Sequence, residues 1–278
     1  QNGDALTVWA EEHTDRNMPT VVSNVADKVG MAQVVVNNDI VSSDQSTFDK
    51  TIEEMRTKEE AMPVVSKEEL KAKADFSGKI GQLESSRKYF STLPGGQIPA
   101  KGTNLKLYST ELYQSINPFW VVVLTPIVVG FFGWMRRKKK EPSTPTKIFI
   151  GLVITALSAL VMVGAVFATN EMTMKASSFW LIASYGVITV GELCLSPMGL
   201  SLVSKLSPPR ITALMMGGFF LAISVGNKLS GMLSSLWESM PEKQNFFYLN
   251  FGLVLAAAVA LFLMLKWLNG VMKENNVQ

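Results

Sequence analysis

The chain contains the stretch Val187-Ile-Thr-Val-Gly-Glu192-Leu-Cys-Leu-Ser196-Pro197-Met-Gly-Leu200, which places one ionisable carboxylate within a long apolar run. A charged side chain at the centre of a bilayer costs roughly 2.5 kcal/mol or more, so it is rarely retained without a partner or a function. The stretch therefore predicts a membrane helix that carries a functional group. It favours a transporter over a generic membrane protein.

The composition describes two unlike parts. Residues 1–113 are polar and rich in charges, whereas apolar runs dominate the remainder of the chain. The formal net charge is +3, which gives no strong attraction to nucleic acid, and the single cysteine excludes an intramolecular disulfide. The sequence begins at Gln1 without an initiator methionine, so either the N-terminus has been removed or the sequence is a fragment of a longer protein, and we favour the fragment.

Five apolar segments are long enough to cross a bilayer, which takes roughly 20 residues of helix. They predict helices at about 116–135, 148–169, 178–206, 211–237 and 246–268. The predicted fold class is an all-α membrane protein, with a five-helix transmembrane bundle over residues 113–278.

Basic residues are concentrated in the loops on one side of this bundle. The positive-inside rule places that side and the C-terminus in the cytoplasm, and residues 16–112 outside the cell membrane. Seven aromatic residues near span ends are expected to be interfacial anchors in contact with the lipid bilayer: Trp120, Trp134, Trp180, Trp237, Phe246, Tyr248 and Trp267. The basic residues of the first side are Arg136, Arg137, Lys138, Lys139, Lys140, Lys147, Lys205, Arg210, Lys266 and Lys273, against Lys175 and Lys243 on the other.

Residues 16–112 are expected to form a small extracytoplasmic insert of mixed α/β structure, with partial disorder as the alternative. Residues 32–36 and 40–41 predict a strand, a turn and a second strand, and residues 47–61 and 66–74 predict helices. Ser66 and Glu69 are spaced as a capping box. Because no metal-ligand cluster and no pair of nucleophile and base occurs, we expect no metal site, no catalytic residue and no enzyme activity.

Glu192 is the first candidate binding residue. If its helix enters from outside, a rise of 1.5 Å per residue places the carboxylate about 21 Å deep, near the midplane. Ser196 follows on the same helix face, and Pro197 predicts a kink of the kind that lines a cavity. The functional interpretation is a carboxylate that binds substrate or protons. The alternative is a structural carboxyl, protonated or hydrogen-bonded between helices.

Three amide side chains are further candidates. Asn117, preceded by Gln114, opens the first span, and its amide offers donors and acceptors that suit a zwitterionic ligand. A helix start with Pro118 in its first turn also explains the local sequence, and better. Asn227 interrupts the fourth span, and we expect it to form hydrogen bonds across helices rather than to bind ligand. Gln114 and Pro197 are assigned to helix packing or to a possible pocket.

Three phrases occur in a fixed order along the apolar half: Gln114-Ser-Ile-Asn-Pro118, Gly191-Glu-Leu-Cys-Leu-Ser-Pro-Met-Gly-Leu200 and Met215-Met-Gly-Gly-Phe-Phe-Leu221. In this order and spacing they resemble the eighth, tenth and eleventh helices of the proton-dependent oligopeptide transporter (POT/PTR) family, within the major facilitator superfamily. The resemblance covers residues 111–268, and it also implies that residues 1–15 are the end of a truncated seventh helix.

The resemblance implies an incomplete C-terminal bundle of the major facilitator fold, which works by alternating access. The substrates would be di- and tripeptides, and protons would be the coupling ion, without another cofactor. Glu192 would face the amino terminus of the peptide, Asn117 its backbone, and Ser196 would lie in the same pocket wall. Phe219 stands where the family usually has tryptophan, which keeps an aromatic wall but loses the indole donor.

The resemblance also implies a partner, namely the missing N-terminal half of the same transporter. In the family that half and the seventh helix supply the groups that bind the peptide carboxylate and couple protons. We therefore expect this chain to be inactive alone and to supply the acidic wall of the peptide site. One alternative is a membrane-anchored sensor or assembly protein that acts through residues 16–112. Another is a transporter of nitrate or another non-peptide solute, in which Glu192 is harder to explain.

Overall fold

The computed structural model describes residues 3–18, 31–63, 66–93, 98–169, 174–208, 210–240 and 242–274, and the statements below concern these residues. Four short strands accompany the helices: β1 (Thr14–Asp15), β2 (Ala32–Val36), β3 (Asn104–Tyr108) and β4 (Ala176–Ser177). The helices are α1 (Gly3–Glu12), α2 (Gln45–Glu60), α3 (Lys67–Ser91), α4 (Thr110–Gln114), α5 (Ile116–Arg137), α6 (Thr144–Ala168), α7 (Ser178–Leu206), α8 (Thr212–Ser239) and α9 (Lys243–Glu274).

The chain divides into two compact units. The first, here called the membrane unit, comprises residues 1–7, 113–168 and 179–278, and the second, the insert unit, comprises residues 8–112 and 169–178. The predicted insert of residues 16–112 falls within the insert unit. Residues 8–15, for which we expected a membrane helix, also belong to the insert unit, as does the connection from α6 to α7.

Five helices of the described chain are long and apolar enough to cross a membrane. Each coincides with one predicted span, and the helices extend past the apolar segments at five of their ten ends. The predicted fold class is confirmed as a mostly helical membrane protein with only small sheets. The five segments are Thr110–Arg137, Thr144–Ala168, Ser178–Leu206, Thr212–Trp237 and Lys243–Glu274.

Trp237 and Phe246 are buried, although the sequence suggested interfacial anchors. The Trp237 side chain is 2% exposed, and its ring centre lies 5.3 Å from that of Phe246 and 5.6 Å from that of Phe247. The Lys243 ammonium lies 5.0 Å from the centre of the indole ring. These contacts join the end of α8 to the start of α9. Trp134 is exposed, as an anchor is expected to be.

Lys147 is also buried, and a carboxylate accounts for this. Its Nζ atom lies 2.5 Å from Glu141 Oε1, and Arg136 donates two hydrogen bonds to the same carboxylate at 2.7 and 3.1 Å. The hydrogen bonds from Arg136 and then from Lys147 lower the pKa of Glu141 to about 2. Glu141 therefore joins the end of α5 to the start of α6.

Helices α6 and α7 approach each other closely at two glycines. A Cβ atom on Gly191 would lie 2.1 Å from Thr155 Oγ1 and 2.9 Å from the carbonyl oxygen of Gly151. A Cβ atom on Gly151 would lie 3.0 Å from the Cβ of Cys194. Small residues permit this backbone approach between membrane helices. The contact packs α7 against α6 immediately beside Glu192.

The insert unit contains an antiparallel pair of strands, of which the sequence pattern predicted β2 but not its partner. Strand β2 pairs with β3, with Val34 opposite Lys106, rather than with residues 40–41. The prediction of a second strand at Ile40 and Val41 is wrong, because Asn38 Oδ1 accepts a hydrogen bond from the Val41 N–H at 2.8 Å. An asparagine side chain that binds the backbone in this way favours a turn over a strand.

Helix α3 packs on this sheet, and α2 packs on α3. Helix α3 begins at the predicted capping box, which is confirmed: the Ser66 and Glu69 side chains each accept from the other residue's N–H. It runs to Ser91 rather than to residue 74, because Tyr89 and Phe90 pack into a core with Val35. A second cluster of Phe48, Ile52 and Ile80 holds α2 against α3.

Lys175 joins distant segments of the insert unit. Its ammonium donates to the Glu12 carbonyl and to Thr92 Oγ1, both at 2.5 Å, and lies 4.1 Å from the centre of the Tyr89 ring. Beside it, β1 and β4 form a short parallel pair. Burial, and next the nearby Arg16 guanidinium, lower the pKa of Lys175 to about 7.

The close approach at Gly191 predicts a specific sensitivity to added volume. Gly191→Ala should destabilise the membrane unit by about 1–3 kcal/mol, because overpacking forces backbone shifts. Gly130→Ala is the matched control, since a Cβ there has nothing within 4 Å and alanine favours helix. Thermal unfolding in detergent measures both. Equal transition temperatures for the two variants would contradict the packing argument.

The lowered pKa of Lys175 predicts a pH dependence of the insert unit. Below about pH 7 both folded and unfolded states carry the charge, so the penalty of burying it is fully present. Between about pH 7 and the unfolded value of 10.5 the folded state is neutral, and stability rises with pH. Lys175→Met should remove this rise, whereas Lys101→Met, at an exposed lysine, should keep it.

The rise in stability of the insert unit can be measured by hydrogen exchange of residues 12–16 and 88–93 in the full-length protein. The exchange is followed between about pH 7 and about pH 9.5 and corrected for intrinsic rates. The protection of the wild type should increase more steeply with pH than that of Lys175→Met. Parallel pH profiles would show that Lys175 keeps an ordinary pKa.

Candidate substrate-binding site

Helices α5 and α7 of the membrane unit bring Asn117 and Glu192 together. Asn117 lies in the first turn of α5, and Glu192 lies near the middle of α7. The Asn117 Nδ2 atom is 3.4 Å from Glu192 Oε2, which is a long hydrogen bond. Both side chains are half-buried. Two residues that were singled out separately in the sequence therefore form one polar pair.

Thr189 completes this group, and the sequence analysis missed it. Its Oγ1 atom lies 2.9 Å from Asn117 Oδ1 and 2.7 Å from the carbonyl oxygen of Tyr185, and the residue is fully buried. Thr189 precedes Glu192 by three residues, so the two share a face of α7. This spacing of three residues was the sequence signal that could have identified Thr189.

Trp120 fixes α5 against α7 one turn further along. Its indole Nε1 donates to the carbonyl oxygen of Ile182 at 3.1 Å. The ring lies over Gly186, where a Cβ atom would come within 3.3 Å of Trp120 Cε2. Trp120 therefore has a hydrogen-bonded packing position as well as the anchoring role expected from the sequence.

Gln114 and Tyr185 extend the polar group towards α1. Gln114 is exposed, and its Nε2 atom lies 3.4 Å from Thr7 Oγ1. Thr7 also forms a side-chain hydrogen bond with Tyr185. Gln114 thus lies near Asn117 and contacts α1 through this hydrogen bond.

Ser196 and Phe219 lie beyond Glu192, towards the C-terminal end of α7. Ser196 is exposed, as is Pro197, and α7 continues through this proline. The Phe219 ring of α8 packs on Gly199, within 3.2 Å of the position of an added Cβ. Since Gly199 is about two turns from Glu192 along α7, Phe219 is not in the Asn117 group. Phe219 instead lines an open apolar groove of about 740 Å³ with Val203, Ala213, Leu214, Met215, Gly217, Gly218 and Leu221.

Asn227 lies on an exposed face of α8. Among the residues that the structure describes, no interhelical hydrogen bond is recorded for it, so its expected packing role stays a prediction. Nor do the described ranges hold any group of three or more His, Cys, Asp or Glu side chains that could bind a metal ion.

The group of Asn117, Thr189 and Glu192 can bind a ligand through both charge and hydrogen bonds. A carboxylate attracts an ammonium group, and a neighbouring amide both donates and accepts hydrogen bonds. Within an apolar helix bundle these interactions are stronger than in water, because the effective dielectric constant is lower. The group is therefore suited to a ligand with a positive end and an amide next to it.

Comparisons with known proteins show which protein family this chain matches. A family sequence model described as the POT family matches residues 97–250, more than half of the chain. The uncharacterized transporter YclF of Bacillus subtilis is 36% identical over 134 residues, 48% of this chain and 26% of that protein. Dipeptide and tripeptide permease A of Escherichia coli is 35% identical over 127 residues, 45% of this chain and 24% of that protein. The chain thus spans about a quarter of these relatives.

Solved structures show the same similarity. A POT family transporter in complex with 5-aminolevulinic acid is 26% identical with a TM-score of 0.52, over 63% of this chain and 35% of that one. A POT family transporter in complex with a thioalcohol conjugated peptide is 25% identical with a TM-score of 0.53, over 68% of this chain and 38% of that one. From the extent of the family match, this chain belongs to the POT family.

Proposed function

We propose that this chain takes part in the proton-coupled uptake of di- and tripeptides by alternating access, as the part of the transporter that binds the amino terminus of the peptide. Members of the POT family are transporters and not enzymes, which agrees with the expectation from the sequence. Relatives include dipeptide and tripeptide permeases. Family membership thus favours transport over the sensor or assembly role that the sequence left open.

The observation that carries this proposal is the contact between Asn117 and Glu192 across two membrane helices. The carboxylate would bind the peptide ammonium, and the amide would bind the peptide backbone beside it. Nitrate and similar solutes have no ammonium, so such a substrate would leave the carboxylate without a function. A half-buried position keeps Glu192 within reach of a ligand while its surroundings strengthen the attraction.

The remaining parts of the proposal complete the site. The preceding half of the transporter would supply the basic wall for the peptide carboxylate and the carboxyl that takes the coupling proton. A bound peptide would then span a cavity between oppositely charged walls, which explains a preference for short zwitterions. Ser196 and Phe219 would lie further along the cavity wall. Residues 16–112 would face outside a cell membrane.

Glu192→Gln in the full-length protein tests the proposal. The substitution keeps the size of the side chain but removes its charge, so the KM for proton-driven dipeptide uptake should rise about tenfold or more, as for loss of a charge-assisted hydrogen bond. An N-acetylated dipeptide, which lacks the ammonium, should be a poor ligand of the wild type. Its affinity should hardly change in Glu192→Gln.

Glu274→Gln is the matched control, because this carboxylate lies exposed in the last turn of α9. It should leave dipeptide uptake unchanged. If Glu192→Gln transports free and N-acetylated dipeptides with wild-type kinetics, Glu192 has no place in the binding site.

A further inference from the structure

We propose that Thr189 is a positioning residue that sets the orientation of the Asn117 amide, so that its NH₂ group faces Glu192. The inference rests on the proposed function only for its effect on peptide binding. Thr189 makes the shorter of the two side-chain hydrogen bonds that Asn117 forms in this group, 2.9 Å against 3.4 Å to Glu192. Its contact is therefore the tighter constraint on the amide.

The polarity of the surrounding groups selects one of the two amide orientations. An asparagine amide has a donor end and an acceptor end of nearly the same shape, so its neighbours decide which end points where. An ionised Glu192 only accepts hydrogen bonds, and it therefore requires the NH₂ end. The acceptor end then needs a donor, and the Thr189 hydroxyl lies at hydrogen-bond distance on the other side.

The Thr189 hydroxyl has two acceptors. It is buried, and the Tyr185 carbonyl oxygen of its own helix lies 2.7 Å from Oγ1, so its single proton is shared between this carbonyl and Asn117 Oδ1 at 2.9 Å. Helix α7 is in turn held against α5 by the indole of Trp120. The donor that orients Asn117 thus belongs to a fixed part of the bundle.

The consequence for binding follows from the flipped alternative. If the amide turned over, its oxygen would face the Glu192 carboxylate, and two acceptors would repel each other. A ligand would then meet the wrong end of the amide and would have to reorient it. Without Thr189, part of the binding energy would be lost in fixing Asn117, which raises KM and leaves the transport rate at saturation unchanged.

Two substitutions at this position separate orientation from packing. Thr189→Val keeps the shape but removes the hydroxyl, and should raise the KM for dipeptide uptake by the full-length protein about 3- to 10-fold with kcat retained. Thr189→Ser keeps the hydroxyl and should stay within about twofold of the wild type. Thr125→Val is the matched control, because Thr125 is half-buried and its hydroxyl donates to the Val121 carbonyl of its own helix.

A double-mutant cycle with Asn117→Ala decides the mechanism. If Thr189 acts through the amide, Thr189→Val has no further effect on KM once Asn117 is alanine. An equal effect in both backgrounds, or a Thr189→Ser variant as impaired as Thr189→Val, would overturn the proposal in favour of simple packing.

The same double-mutant cycle can be measured by thermal unfolding, which needs no substrate. Thr189→Val should lower the unfolding temperature by about 2–4 °C in the wild type, but not in the Asn117→Ala background. This result would stand even if dipeptides proved not to be the substrate, because it measures the contact between Thr189 and Asn117 alone. An equal loss in both backgrounds would mean that the two side chains are not coupled.

Discussion

The free energy needed to hold a carboxylate within an apolar helix bundle constrains the membrane unit. Glu192 is tolerated because an amide from α5 donates to it, and that amide is in turn held by a threonine of α7. A buried polar group requires partners of this kind, since an unsatisfied one costs a large part of the stability of a domain. The polar group and the packing of α5 on α7 therefore depend on each other.

Glycine positions on α7 make this arrangement possible. Gly186 leaves room for the indole of Trp120 on one side, and Gly191 leaves room for the backbone of α6 on the other. Helix α7 is thus approached closely from two directions around Glu192. The segment of α7 that carries Glu192 is therefore packed closely against both α5 and α6.

The sequence predicted the five helices and the Glu192 and Asn117 candidates because these depend on local hydropathy and on single unusual residues. It did not predict Thr189, whose role depends on a partner in another helix. It also failed for the strand at residues 40–41, since the true partner of β2 is β3, far along the chain. Trp237 was misjudged for a related reason, because its aromatic partners Phe246 and Phe247 bury it.

The parallel pair of β1 and β4 has a consequence for the order of events during synthesis. Residues 176 and 177 leave the ribosome only after α5 and α6, yet they pair with residues 14 and 15 at the start of the insert unit. Chains are made from the N-terminus, so most of the insert unit emerges well before its last strand. Its final contacts, including those of Lys175, can close only after two membrane helices have been synthesised. Completion of this unit is therefore coupled to the progress of membrane insertion.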